Sequence, residues 1–176
     1  MVRYIKPDSK DDYYSPYSFK VFFAGTIDNG ESDDWQKELY CNVAMHDNLV
    51  ITMGENYVTP EKLNITIFNP RRDEWNPEFS NEDVIEQIKW EQEKLDEADL
   101  IVMVLRDDSK SPISLLELGL YGPGGKMIVF CSDKFYRYNN VKLTCEKYLI
   151  PFEETTDLYR IGDAIVDLFY EWENGQ

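Results

Sequence analysis

The fold class this sequence predicts is a single α/β domain of three layers, a mainly parallel sheet covered by helices on both faces, and three observations predict it. Short continuous apolar runs recur along the chain, FKVFFAG, NITIFNP, DLIVMVL and KMIVFC, each with the length and composition of a strand buried on both sides. Segments with helical spacing lie between them, and strands that alternate with helices imply right-handed crossovers and a parallel sheet. The 176 residues fit one domain of ordinary size, large enough to bury a core without disulfides or metals.

Residues 1–18 hold Pro7, Pro16 and the charged run DSKDD, and are read as an irregular arm leading into a domain over 19–176. Residues 19–25 form the first strand. Asp33 and Gln36 have the spacing of a capping box, and Trp35, Leu39 and Val43 recur at helical intervals to about Met45. Residues 64–70 are the second strand, stopped by Pro70. A helix then runs from near Ser80 to about Ala98, with Val84, Ile88 and Leu95 on its buried side. Residues 99–105 and 126–131 are the third and fourth strands, and 148–152 holds a short fifth, which makes about five. Helical patterns fill 112–121 and about 156–172. Ligands of open parallel sheets bind outside the carboxyl ends of the strands, at the switch in strand order. That rule selects the loops AGTIDNGES, NPRRDEW, RDDSKSPIS and SDKFYRYNN.

Apolar residues make up 43% and aromatics 14% of the chain, so its low mean hydropathy reflects a charged surface and not disorder. Against 34 acidic residues stand 18 Lys and Arg, a net charge of -16. Such a field repels nucleic acid and anionic membrane surfaces, and favours a neutral small ligand over a multiply phosphorylated one. Cys41, Cys131 and Cys145 are odd in number and lack metal-ligand spacing, as expected of reduced thiols in a cytoplasmic protein with no structural metal. The polar start MVRYIKPDSKDDYY is not that of a signal peptide, and no apolar run approaches the roughly 18 residues of a membrane span.

The chemistry concentrates in SPISLLELGLYGPGGK. Ser111 is a favourable N-cap and Pro112 a favourable first helical residue, and the glycines from Gly122 end the helix. Ile113, Leu116 and Leu120 form one apolar stripe and Leu115 and Leu118 another. Between them Ser114, Glu117 and Tyr121 share a polar strip. That strip faces either water or a pocket; in a pocket, Glu117 is placed to act as nucleophile or general base. On the preceding helix Glu91 falls on the same side as Ile88 and Leu95, where it either reaches water or joins Glu117.

Taken in order and spacing, FFAGTID, NITIFNPRRDEW, QIKWEQEKLDEADLIVM, SPISLLELGLYGPGGKMIVFC and FYRYNNVKLTCEKY resemble the nucleoside 2-deoxyribosyltransferase-like family. The resemblance implies a flavodoxin-like domain that cleaves the N-glycosidic bond of a 2-deoxyribonucleoside through a covalent deoxyribosyl-glutamate, with Glu117 as the nucleophile. It implies a sugar or base contact at Glu91, eight positions before Asp99, where the family carries an acid. Ser111 stands where the family has an aspartate, and Asp107 and Asp108 lie just upstream. The loop after the fourth strand is implied to enter a neighbouring subunit's site, with Asn139 or Asn140 as its contribution and Arg137 assisting, hence a homo-oligomer.

The remaining substrate contacts expected are Gly25, Thr26 and Ile27 of the first loop, Trp35 behind it, and Asn69 and Arg71 after the second strand. Asn69 offers both a donor and an acceptor for a base, and Arg71 and Arg72 either bind a carbonyl or phosphate or pair with Asp73 and Glu74. AGTIDNGES fits no dinucleotide or ATP fingerprint, although its amides and Ser32 are placed to hold one phosphate or hydroxyl. His46, the one histidine, has no nucleophile pattern around it. No cofactor is expected. The alternatives are hydrolysis of deoxynucleoside 5'-monophosphates, a non-catalytic nucleotide-binding module, and, behind these, glycosidic cleavage of NAD.

Overall fold

The computed structural model describes residues 1–10, 12–27, 33–46, 63–73 and 80–175. Among these, six parallel strands form one sheet in the order β1-β3-β2-β4-β5-β6. They are β1 (Val2–Ile5), β2 (Phe19–Gly25), β3 (Ile65–Phe68), β4 (Leu100–Leu105), β5 (Met127–Cys131) and β6 (Phe152–Glu153), with helices α1 (Trp35–His46), α2 (Asn81–Glu97), α3 (Pro112–Tyr121), α4 (Tyr138–Tyr148) and α5 (Leu158–Asn174). This is a flavodoxin-like three-layer domain.

Alternate residues of each strand feed opposite faces, the period-2 rule of a pleated sheet. Val21 and Phe23 of β2, with Ile65, Ile67, Val102 and Val104, pack under α1 and α5. Phe22 and Ala24, with Ile101, Met103 and Val129, pack under α2, α3 and α4. Every residue of β3, β4 and β5 is buried, which is why these segments read as unbroken apolar runs. Relative to β2, β3 lies on one side and β4 on the other, so the chain crosses back over the sheet between β3 and β4. The switch in order falls between β2 and β4, and the crevice the topology offers lies outside Gly25 and Leu105.

Two elements depart from the expectation. Val2–Ile5 is no irregular arm: it pairs in parallel with β3 along its length, Val2 opposite Ile65 and Ile5 opposite Phe68. Only four residues long, with half-buried Arg3 and Tyr4 at its centre, it lacks the apolar run that marks the inner strands. Tyr14, further along the first 18 residues, is tied down as well. The Tyr14 ring meets Phe68 edge-on, its hydroxyl donates to Glu97 at 2.6 Å, and Lys94 donates to it at 2.8 Å. The second departure is α4, whose first turn absorbs Tyr138, Asn139 and Asn140 from the supposed loop and which continues to Tyr148.

Helix ends fall close to their signals. Ser80 and Asp83 form a reciprocal capping box at the start of α2. At α1 it is Asp34, not Asp33, whose side chain accepts from Lys37 N at 3.2 Å. The far end of α2 is anchored by Lys126, whose ammonium donates to the carbonyls of Leu95, Asp96 and Ala98 at 2.7, 2.9 and 3.1 Å. A cation on the last carbonyls satisfies groups that a helix terminus otherwise leaves unpaired, and it fixes α2 against the edge of β5. No described helix is long and apolar enough to cross a membrane.

Candidate active site

Gly25 closes β2 at the switch in strand order with φ 139°. A Cβ there would lie 2.2 Å from the Val104 carbonyl oxygen and 3.1 Å from the Trp35 ring, so only glycine permits this approach. The next carbonyl, of Thr26, accepts from Trp35 Nε1 at 2.8 Å and from Gln36 Nε2 at 3.3 Å. Trp35 and Gln36, both buried, thus hold the loop from beneath.

Across the switch point the buried Thr26 hydroxyl meets Ser111 Oγ at 2.8 Å, and Ser111 Oγ meets Ser109 Oγ at 2.8 Å. This is not the N-cap role expected of Ser111. Its backbone is left-handed, φ 42° and ψ 53°, and its side chain makes no capping bond. A non-glycine residue in that region carries backbone strain, and it sits where the hydroxyl chain ties the loop after β4 to the loop after β2.

From this tie α3 runs along a cavity of about 660 Å³ whose opposite wall is α2. Leu118 points into the core at 3% exposure, while Ile113, Leu116 and Leu120 are 59, 58 and 66% exposed. The two leucine stripes therefore do different things: one packs, the other rims the cavity mouth. The polar strip between them faces the cavity, which Ser114, Glu117 and Tyr121 all line. Val84 and Ile88, expected on the buried side of α2, are each 46% exposed and line the cavity with Glu91.

Burial, and then the charge of Glu91, pushes the Glu117 carboxyl up to about 8. Burial also raises Glu91 above the ordinary carboxylate range, but a hydrogen bond from Gln87 and the charge of Arg72 pull it back. Gln87 Nε2 donates to Glu91 Oε1 at 2.6 Å. Two carboxyls held close in an apolar cavity, with one better stabilised as an anion than the other, are a general pattern of acid and nucleophile pairs.

The family model described as nucleoside 2-deoxyribosyltransferase like matches residues 18–135, about two thirds of the chain. The chain belongs to this family. No curated protein matches it. The matched stretch contains β2 to β5 and with them both carboxylates and the cavity.

Of the contacts expected from sequence for a member of this family, Gly25, Ile27, Glu91, Ser111 and Glu117 are brought together around the cavity. Thr26 and Trp35 stand one layer behind. Asn69 is fully buried: its amide donates to Tyr4 Oη at 2.5 Å and accepts from Arg71 N at 2.9 Å. Arg71 turns away to α1, donating to the Asp33 carbonyl at 3.2 Å with Asp34 at 3.9 Å. Arg72 is the arginine that lines the cavity. Asp107 and Asn139 are exposed, and Asn140 lines a separate shallow groove with Arg137 and Leu115 between α3 and α4. Ser32 and Glu74 lie outside the described residues. His46 makes a 3.0 Å contact with Asp163 of α5. Among the described residues no group of three or more His, Cys, Asp or Glu side chains is placed to hold a metal.

Gln87 is inconspicuous in the sequence because it sits in a run of charged, surface-like residues. Its signal was its place four residues, one helical turn, before Glu91.

Proposed function

We propose that the protein cleaves the N-glycosidic bond of a 2-deoxyribonucleoside in this cavity, with Glu117 as the nucleophile. The observation that carries the reading is Glu117 itself: a half-buried carboxyl on the second turn of a helix, facing Glu91 across an apolar cavity at the carboxyl ends of β2 and β4. A Glu117 carboxylate oxygen bonds to C1' as the C1'–N bond breaks, and the bond's electron pair leaves with the base, which takes up a proton. A second base nitrogen or a water oxygen then attacks C1', loses its proton and releases the carboxylate, the two-step logic of retaining glycosidases.

Only ionised Glu117 can attack, and with its carboxyl pushed up to about 8 about a tenth is ionised at pH 7. kcat/KM is therefore expected to climb with pH until about 8, a value that belongs to the Glu91/Glu117 pair.

The cavity favours a nucleoside over its 5'-monophosphate. Asp83, Glu91 and Glu117 line it beside Arg72, whose Nε donates to Gln87 at 2.6 Å. Arg72 is also the observation that supports the nucleotide as a second reading. An oligomer is proposed on the exposed rim of Ile113, Leu116 and Leu120 with Val84 and Ile88, since contiguous apolar surface of this kind marks association. Asn139 and Asn140, exposed on α4, are then the groups a neighbouring subunit would receive. A cytoplasmic location is proposed on the buried free thiols of Cys131 and Cys145.

The test is base release from a panel of 2-deoxynucleosides and their 5'-monophosphates, with and without a second free base. Glu117→Ala is expected to lower release by at least about 10³-fold. Exchange into the added base marks a transferase, and its absence a hydrolase. Release that survives Glu117→Ala intact would remove the nucleophile and the reading with it.

A further inference from the structure

Gln87 is placed where it decides how the two cavity carboxyls share their protons. Its amide has one possible orientation. The Oε1 atom accepts from Arg72 Nε at 2.6 Å, and Arg72 offers only donors; the Nε2 atom donates to the Pro70 carbonyl at 2.8 Å, which is only an acceptor. With both ends committed, the remaining Nε2 hydrogen points to Glu91 Oε1 at 2.6 Å. The Pro70 carbonyl and Arg72 come from the loop after β3, so the end of that strand reaches Glu91 through one side chain of α2.

We propose that Gln87 is a positioning residue that keeps Glu91 as the anionic member of the carboxyl pair, leaving Glu117 as the member that holds the proton in the empty cavity. A donor that cannot rotate to accept stabilises the carboxylate over the carboxylic acid. Among the described residues the titratable groups that line the cavity with the pair are Asp83 on α2 itself, Arg72 from the loop after β3, and Tyr121 beside Glu117 on α3. Asp83 is engaged with Ser80 at the helix start, so Gln87 and Arg72 are the groups here that favour an anionic Glu91. The consequence for catalysis rests on the reaction proposed above; the proton placement stands apart from it.

The experiment is a pH titration of the glutamate side-chain carboxyl 13C resonances in the full chain, assigned with Glu91→Gln and Glu117→Gln, and repeated in Gln87→Met. Methionine keeps the length and approximate volume of glutamine and removes the donor. Glu91 is expected to hold its proton about tenfold more tightly, an upward shift of about one pKa unit. Gln87→Glu is the second variant and covers a failure of the first to fold. Its carboxyl, held ionised by Arg72, cannot donate to Glu91 and repels it, so Glu91 should again hold its proton more tightly than in wild type. A Glu91 titration that stays put or falls in either folded variant overturns the proposal. Because the readout is proton binding, a protein that releases no base but shows these shifts refutes the reaction and leaves the role of Gln87 standing.

Discussion

Glu117 should make the protein less stable as pH rises, and replacing it with glutamine should abolish that loss. The unfolded carboxyl gives up its proton near the ordinary 4.5, while in the folded chain burial pushes it up to about 8. Between those values the folded state binds more protons than the unfolded state, so stability is highest at or below pH 4.5, falls as pH rises, and levels off above 8. The slope is about 1.4 kcal/mol per pH unit, which over the window sums to about 5 kcal/mol, a large part of the 5–15 kcal/mol typical of a domain. Glu91, raised in the same direction, adds to the slope. Urea denaturation at pH 5, 6.5 and 8 of wild type and Glu117→Gln measures it. The variant's advantage should grow by about 2 kcal/mol from pH 5 to 6.5 and by about as much again to pH 8. A difference that stays constant with pH would mean that the carboxyl titrates as if in water, and that the cavity does not hold it.

Two predictions concern backbone positions. Gly25→Ala should cost more than about 3 kcal/mol and distort the cavity floor, because its Cβ would sit 2.2 Å from the Val104 carbonyl oxygen at φ 139°; a denaturation midpoint like that of wild type would contradict the close approach. Leu149→Gly should raise stability by about 1 kcal/mol, since Leu149 ends α4 with φ 57° while 89% exposed. An unchanged or lower midpoint there would show that the leucine side chain contributes more than the strain removes.

How much was legible follows from what each residue's neighbours in sequence reveal. β3, β4 and β5 are buried on both faces, and that burial writes itself as an apolar run. The edge strand β1 has no such run, because two of its four residues are only half-buried. α4 was hidden by a polar, aromatic first turn that resembles a loop, YNNVKLTCEKY. At the site Glu117 was legible because an acid among leucines is conspicuous, and Glu91 because it fell on an apolar side. The sequence left open whether their strip met water or a pocket, since the periodicity of α3 is the same in both cases; only the placement of α2 opposite decides it. Asn69 and Arg71 have the place after a strand that ligand contacts occupy, yet that strand end is shared with β1. Tyr4 takes the Asn69 amide and the Asp33 carbonyl just before α1 takes the Arg71 guanidinium, while the neighbouring Arg72 faces the cavity. Serine before proline has the pattern of a helix cap; that Ser111 instead bonds a threonine 85 positions away is a matter of topology.

The same burial that destabilises the protein is what makes Glu117 useful on the proposed reaction. In the empty cavity its anion is poorly solvated and is repelled by Glu91, so the ionised form is high in energy. As the C1'–N bond breaks, positive charge develops on the sugar between the two carboxyls, and an anion that lacked a partner acquires one in the transition state. The interaction is absent from the ground state of a neutral nucleoside, so it lowers the barrier without tightening substrate binding. A 5'-monophosphate would bring two further negative charges into the same cavity and raise both carboxyls again, which moves the ionised fraction of Glu117 the wrong way. On the proposed reaction the net charge of -16 and the apolar wall would therefore act together: both disfavour an anionic substrate, and the apolar wall keeps Glu117 protonated in the empty cavity.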